Sequence, residues 1–270
     1  MVLKVCLSGA TGGVGRCLAR AILASKDFSL DSAVARKAAG QDIGAFLGLP
    51  PAGVAVTDDI VAALDRKPHV LIDYTHPSAI KRHTLEALRR RIPVVVGTSG
   101  MNAEDHEEIE HAAKAAGVGV ATGNFAITAA LMQHFALLAA RYVPQWEVLE
   151  YCKAEKPDAP SGTATELAEQ LSAVRAPVYV HDPERMIGPK GARGASVAGT
   201  RVHAVRLPGH SAACEVIFGL AGERLVIRHD MQTSDEIFVE GTLLAARKVQ
   251  SFKGIARGLD KLMFDGQAAR

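Results

Sequence analysis

Between positions 150 and 164 the chain reads Glu150-Tyr151-Cys152-Lys153-Ala154-Glu155-Lys156-Pro157-Asp158-Ala159-Pro160-Ser161-Gly162-Thr163-Ala164. The end of this stretch reads as the start of a helix. The first N–H groups of a helix lack intrahelical partners and lie at the positive end of its dipole, so they receive anions. Ser161 suits the N-cap, Gly162 lets a ligand approach the backbone, and Thr163 adds a hydroxyl donor, while Lys153 and Lys156 bring positive charge from the preceding loop. The chemistry expected here is capture of a small carboxylate or phosphate. An ordinary capped helix after a Pro-rich turn is the competing reading.

A second candidate lies near the start of the chain. Ser8-Gly9-Ala10-Thr11-Gly12-Gly13-Val14-Gly15-Arg16 follows the apolar run Leu3-Lys4-Val5-Cys6-Leu7 and precedes a helical pattern over 17–23. A diphosphate site needs this order of strand, tight glycine turn and helix start. The spacing, Gly9-x-x-Gly12-x-x-Gly15, differs by one position from the commonest dinucleotide fingerprint. The loop candidates are Gly9, Ala10, Thr11, Gly12, Gly13 and Val14. About twenty residues further on, an acidic side chain would hold the 2′-hydroxyl of NAD; here the second strand, 29–34, runs into Ala35-Arg36-Lys37. Two cations, Arg36 and Lys37, stand where a 2′-phosphate would lie, which predicts NADPH as cofactor and NADH as the weaker ligand. An exposed basic loop is the alternative.

The elements that must position these residues follow a βα rhythm. Apolar runs at 69–73, 93–97 and 118–121 alternate with helical patterns at 77–91 and 102–116, which predicts an α/β fold with a Rossmann-type doubly wound parallel sheet covered on both faces. Ligands of such sheets sit beyond the carboxyl ends of the strands. Gly97, Thr98 and Ser99, and Thr122, Gly123, Asn124 and Phe125, fall there and suit a nicotinamide and its ribose. His76 reads as a loop residue before a helix beginning at Pro77, with no catalytic role. Residues 38–56 read as a loop or short helix.

A helix at 128–142 leads out of the first domain. Alternation over 146–153 places Trp146, Val148, Glu150 and Cys152 on one face of a strand and Glu147, Leu149, Tyr151 and Lys153 on the other. Residues 183–200 read as a long charged loop. Strands at 202–207, 214–218 and 224–229, separated by Pro208-Gly209 and Ala221-Gly222, predict a second α+β domain with an open, mostly antiparallel sheet, one face of which a second subunit would cover. A helix over 237–250 returns to the first domain. The predicted division is 1–126 with 237–270 for the dinucleotide and 127–236 for substrate binding and oligomerisation.

Composition narrows the function classes. In 270 residues the formal charge is +2, and no basic block exceeds Arg89-Arg90-Arg91, so a dedicated nucleic-acid binder is not expected. The four cysteines, Cys6, Cys17, Cys152 and Cys214, lack metal-ligand spacing and disulfide-scaffold density. No metal site is expected. With no apolar run long enough to span a bilayer and no signal-peptide pattern, the expectation is a cytoplasmic protein.

From Lys156 through Ala164 the sequence resembles dihydrodipicolinate reductases, also called 4-hydroxy-tetrahydrodipicolinate reductases. The run Asp158-Ala159-Pro160-Ser161-Gly162-Thr163-Ala164 is very specific to that family. The resemblance covers nearly the whole chain, through Asp73-Tyr74-Thr75-His76-Pro77, Gly97-Thr98-Ser99-Gly100, Asn124-Phe125-Ala126, Gly191-Ala192-Arg193-Gly194, Val202-His203-Ala204-Val205-Arg206-Leu207 and Ile227-Arg228-His229-Asp230. It implies a homotetramer that passes hydride from NAD(P)H to an unsaturated cyclic dicarboxylate in lysine and diaminopimelate biosynthesis. By position, it also implies a 2′-phosphate contact at Arg36, nicotinamide-side contacts at 97–99 and 122–125, substrate-carboxylate contacts at Gly162 and Thr163, and a catalytic lysine at Lys156.

The chain departs from the family at one place. The family signature runs Glu, any, His, His, any, His, Lys, any, Asp before Ala-Pro-Ser-Gly-Thr, and its first adjacent His is the proposed proton donor. Here Cys152, Lys153 and Glu155 stand in the three histidine positions. Beside Lys153 and Lys156, Cys152 would be a thiol of lowered pKa able to transfer a proton; the alternative is a small, half-buried strand residue. Lys153 can meet a carboxylate but cannot copy imidazole chemistry. Lys156 therefore becomes the leading general acid. A diverged paralogue reducing another cyclic imine, and a non-catalytic NADPH and carboxylate sensor, are the alternatives to the lysine-pathway reductase.

Overall fold

The computed structural model describes residues 2–232 and 235–264. The strands are β1 (Leu3–Ser8), β2 (Phe28–Val34), β3 (Val56–Thr57), β4 (Val70–Asp73), β5 (Val94–Val96), β6 (Gly119–Thr122), β7 (Trp146–Cys152), β8 (Ala195–Val197), β9 (Thr200–Arg206), β10 (Ala212–Leu220), β11 (Glu223–Met231) and β12 (Gly254–Arg257). The helices are α1 (Gly13–Ala24), α2 (Ile43–Phe46), α3 (Ile60–Asp65), α4 (Pro77–Arg89), α5 (Ala103–Ala116), α6 (Ile127–Ala140), α7 (Gly162–Val174), α8 (Val239–Lys248) and α9 (Leu259–Met263). Two compact units result, 1–127 with 235–270 and 128–234. The parts of the expected domains at positions 1, 233–234 and 265–270 lie outside the described residues.

In the first unit seven parallel strands run in the order β12-β6-β5-β4-β1-β2-β3. Every residue of β4, β5 and β6 is buried, as expected for strands covered on both faces by helices. Leu71, Val94 and Val120 meet Ile80, Leu88 and Ile109 of α4 and α5 in one core. The order reverses at β1 and β4, so the carboxyl ends of these neighbouring strands open a crevice. The sequence pattern ended the series at 118–121, whereas β12 extends the sheet beyond β6. With Gly254 and Arg257 at its ends, this four-residue strand carries little of the apolar signal that marks an interior one.

The second unit holds a sheet in the order β11-β10-β7-β9-β8, antiparallel except for the β7–β9 pair. The alternation of β7 is borne out. Trp146, Val148, Glu150 and Cys152 are buried, and the intervening residues are only partly so. Trp146 and Val148 join Val216 and Phe218 against Met132 and Ala136 of α6 and Leu167 and Leu171 of α7, while the Trp146 indole N–H donates to Thr200 Oγ1 at 3.1 Å. Two expectations need correction. The turn at Pro208-Gly209 does not join neighbours, because β7 lies between β9 and β10; a turn signal reports a chain reversal and not the pairing of what it joins. The expected loop at 183–200 contains β8, whose three residues are too few to show a period. Among the described residues no helix is long and apolar enough to cross a membrane.

Phe218 is fully buried under α6 and α7. Phe218→Ala is expected to lower unfolding free energy by about 3–5 kcal/mol, read by urea denaturation, whereas Tyr142→Ala, at a side chain 76% exposed, should change it by less than about 0.5 kcal/mol. Equal losses at both positions would contradict this assignment of the core.

Candidate active site

The glycine loop leaves β1 through close backbone packing. Gly9 has φ +84°, and a Cβ built there would lie 2.2 Å from the Tyr74 carbonyl oxygen. A Cβ at Gly15 would lie 2.0 Å from the Gly9 carbonyl oxygen, so any larger residue would push α1 off the turn. Gly12 N–H closes the turn onto Gly9 O at 2.9 Å, and the Gly9 and Ala10 N–H groups donate to Val34 O. Gly12 is the N-cap of α1 and brings no side-chain cap. The cradle therefore suits a diphosphate: glycine backbone, close approach and an uncapped helix start.

The neighbouring strand ends are held from below. Asp73, fully buried, accepts from the Thr75 backbone N–H at 2.9 Å and pairs with His83 Nδ1 at 2.7 Å, and His83 also lies 3.3 Å from Ser8 Oγ. This network joins the ends of β1 and β4 to α4. Tyr74 covers Gly97, where a Cβ would lie 2.0 Å from the ring, and its hydroxyl meets Thr242 Oγ1 at 2.7 Å. Thr98 is half-buried and Ser99 exposed at the end of β5. Beyond β6, Thr122 is buried, Gly123 has φ +130°, and Asn124 Oδ1 accepts from the Ala126 N–H at 2.9 Å. Phe125 is only 1% exposed. Its ring serves the core, and any ligand contact at that position falls to its backbone. Arg36 and Lys37 are exposed just past β2.

In the second unit Cys152 ends β7, Lys153 and Lys156 lie in the loop that follows, and Ser161, Gly162 and Thr163 start α7. Ser161 is the N-cap of α7, its Oγ accepting from the Ala164 N–H at 3.3 Å. Its own N–H donates to the Glu150 carboxylate at 2.9 and 3.1 Å. Glu150 is 1% exposed and paired with Arg206 at 2.6 Å, and the same Arg206 nitrogen donates to the Asp158 carbonyl at 2.6 Å. One buried ion pair thus holds both the loop and the first residue of the helix. A Cβ built at Gly162 meets nothing within 4 Å. The space in front of this exposed glycine is open.

Lys156 Nζ donates to both Asp158 oxygens, at 2.6 and 2.8 Å. The ammonium holds the Asp158 carboxyl below the usual carboxylate range, so the pair persists well into mild acid. Lys153 is exposed. Cys152 overturns the expectation of a thiol with lowered pKa. It is 4% exposed, and burial, followed by the charge of Glu150, pushes its thiol up, which Arg206 and Lys156 offset only in part. The buried side of β7 and the carboxylate beside it outweigh Arg206 and Lys156.

Glu150, Asp158 and Arg206 were quoted within motifs in sequence but given no role there. A carboxylate on the buried face of a half-covered strand was the available signal, since such a charge needs a partner. Nothing in sequence pairs it with Arg206, which arrives from β9. His76, set aside in sequence, is the N-cap of α4. Asp73 and Tyr74 had no signal beyond their position at a strand end, and His83, inside α4, had none.

Two family models match the chain, "Dihydrodipicolinate reductase, N-terminus" over residues 3–125 and "Dihydrodipicolinate reductase, C-terminus" over 127–263. The chain belongs to the dihydrodipicolinate reductase family. It is accordingly an NAD(P)H-dependent oxidoreductase. The 4-hydroxy-tetrahydrodipicolinate reductase of Moorella thermoacetica is 41% identical over 264 residues, covering 97% of this chain and 98% of that protein. That of Synechococcus elongatus is 39% identical, covering 97% and 98%. A solved dipicolinate-bound dihydrodipicolinate reductase from Paenisporosarcina sp. TG-14 superposes with TM-score 0.82 at 31% identity, covering 97% of this chain and 99% of that one. An amine dehydrogenase from Mycobacterium smegmatis, at 13% identity and TM-score 0.68, shares the fold.

Glu150→Ala would leave the half-buried Arg206 without its carboxylate and release the Ser161 N–H. The expected loss in unfolding free energy is about 3–5 kcal/mol, while the double change Glu150→Leu with Arg206→Leu should cost clearly less. A single variant as stable as the wild type in urea would show that the pair does not hold this loop.

Proposed function

We propose that this protein reduces a small cyclic dicarboxylated imine, 4-hydroxy-tetrahydrodipicolinate, to tetrahydrodipicolinate in lysine and diaminopimelate biosynthesis, with NADPH as the preferred donor. The reading rests above all on the α7 start, where Gly162 and Thr163 offer backbone N–H groups beside the Lys156–Asp158 pair. Bound NADPH supplies hydride. One proton must enter with it, and one water leaves the 4-hydroxy substrate.

The chain's own residues account for the rest. The N–H groups at Gly162 and Thr163, with the Thr163 hydroxyl, hold one substrate carboxylate against the helix dipole, and exposed Lys153 adds charge for an anion. Lys156 carries the proton at Nζ and delivers it to the ring nitrogen. Asp158, accepting from that ammonium at 2.6 Å, positions it. With its thiol pushed up by burial, Cys152 takes no part in proton transfer. In the first unit, the residues 9–14 take the diphosphate, Arg36 with Lys37 takes the 2′-phosphate, and Gly97, Thr98, Ser99, Thr122, Gly123, Asn124 and the backbone of Phe125 take the nicotinamide ribose side. The 128–234 unit is the substrate-binding and oligomerisation part of a cytoplasmic homotetramer. Its sheet presents Leu149, Ile217 and Val226 on the face opposite α6 and α7, and Val226 is 44% exposed.

The replacement of three family histidines by Cys152, Lys153 and Glu155 favours a second reading, a paralogue that reduces a related cyclic imine. Purified protein given NADPH and freshly generated 4-hydroxy-tetrahydrodipicolinate should oxidise the nicotinamide. Lys156→Ala should lower kcat by at least about a hundredfold, and Cys152→Ala should leave it unchanged. No oxidation by the wild type, with activity on another cyclic imine, would reject the lysine-pathway substrate in favour of the paralogue. Arg36→Ala should weaken NADPH binding more than NADH binding; equal effects on both would reject the 2′-phosphate assignment.

A further inference from the structure

The N-cap of α1 brings no side-chain acceptor, yet a carboxylate lies beside the first residue of the helix. Asp235 opens a short 3-10 turn, Asp235–Phe238, where the chain returns to the first unit. A Cβ built at Gly13, the first residue of α1, would lie 1.9 Å from Asp235 Oδ2 and 3.0 Å from its Cγ. The carboxylate is thus in contact with the glycine whose N–H belongs to the helix start. Glu236 follows in the same turn. Their negative field reaches one turn further along α1, where the Cys17 thiol is pushed up by burial and then by Glu236 and Asp235.

An anion at this place does what a bound phosphate does: it receives the positive end of the dipole. It also repels a phosphate that approaches. Asp235 is exposed, so leaving the loop exposes no apolar surface and strands no buried charge. Arg16, whose Nε donates to Thr11 O at 2.8 Å, is the cation on the other side of the loop. We propose that Asp235 is an internal competitor for the diphosphate site, a residue that sets nucleotide affinity by occupying the start of α1 until the cofactor displaces it. This rests on the reading of residues 9–14 as the diphosphate cradle. Gly13 is essential to the contact, since any side chain there would collide with the carboxylate.

The test compares wild type, Asp235→Asn and Asp235→Glu by calorimetric titration with NADP+ and with adenosine 2′-monophosphate, which lacks the diphosphate. Asp235→Asn removes the charge and keeps the shape; it should bind NADP+ about three- to tenfold more tightly than wild type. Asp235→Glu should stay near wild type, and all three proteins should bind the monophosphate equally. If wild type binds NADP+ and Asp235→Asn binds it no more tightly, the competitor role is wrong while the nucleotide site stands. Parallel tightening toward the monophosphate would also overturn it, because the effect would not act through the diphosphate. If none of the three proteins binds NADP+, the cradle reading falls and the inference with it.

Discussion

Backbone N–H groups at a helix start must find acceptors, and in the proposed function the starts of α1 and α7 each find some of theirs in a ligand. The contrast lies within the chain. Asp42, Asp59, His76 and Asn102 close the starts of α2, α3, α4 and α5 with side-chain acceptors. Ser161 closes α7 in the same way, through one bond from the Ala164 N–H, whereas Gly12 at α1, like Phe238 at α8 and Gly258 at α9, brings no side-chain acceptor. Supporting interactions then fix where these starts point. Gly9 and Gly15 draw α1 against the strand ends, and Glu150 with Arg206 ties α7 to the sheet beneath it.

The two ion pairs below and beside α7 do different work because their burial differs. Glu150 is out of water and so needs the half-buried Arg206, and their remaining hydrogen bonds go to backbone groups of the loop. That arrangement fixes a shape. Lys156 and Asp158 are partly solvated, where a salt bridge contributes little to stability and can open at little cost. An ammonium held this way is kept in place and still free to turn toward an incoming carboxylate or ring nitrogen. The same solvation argument covers Cys152, whose burial on the inner face of β7 disfavours the thiol as an anion.

Much of the fold was legible in sequence because burial imposes period. The fully apolar strands at β4 and β5 and the strict alternation of β7 could be read directly. The glycine loop was legible because few backbones tolerate Gly9 and Gly15 packing at near-contact distance. What escaped reading has physical reasons. β8 and β12 are short edge strands that carry almost no pattern. The insertion of β7 between β9 and β10 is a matter of sheet order, which local turn chemistry does not encode. Near the candidate site, the start of α7 at Gly162 with Ser161 as its cap followed from residue type and spacing alone. The sign of the Cys152 shift did not, because it depends on burial and on Glu150, two residues back on the same face. Arg206 and Asp235 come from elements remote in sequence, and only the folded chain brings them to the starts of α7 and α1.

The most direct measurement of the central claim is a crystal structure of the protein with NADPH and pyridine-2,6-dicarboxylate. The account predicts a ligand carboxylate on the N–H groups of Gly162 and Thr163, with Lys156 Nζ turned from Asp158 to within hydrogen-bond reach of the ligand. A ligand bound away from the start of α7, with Lys156 still closed on Asp158, would contradict it.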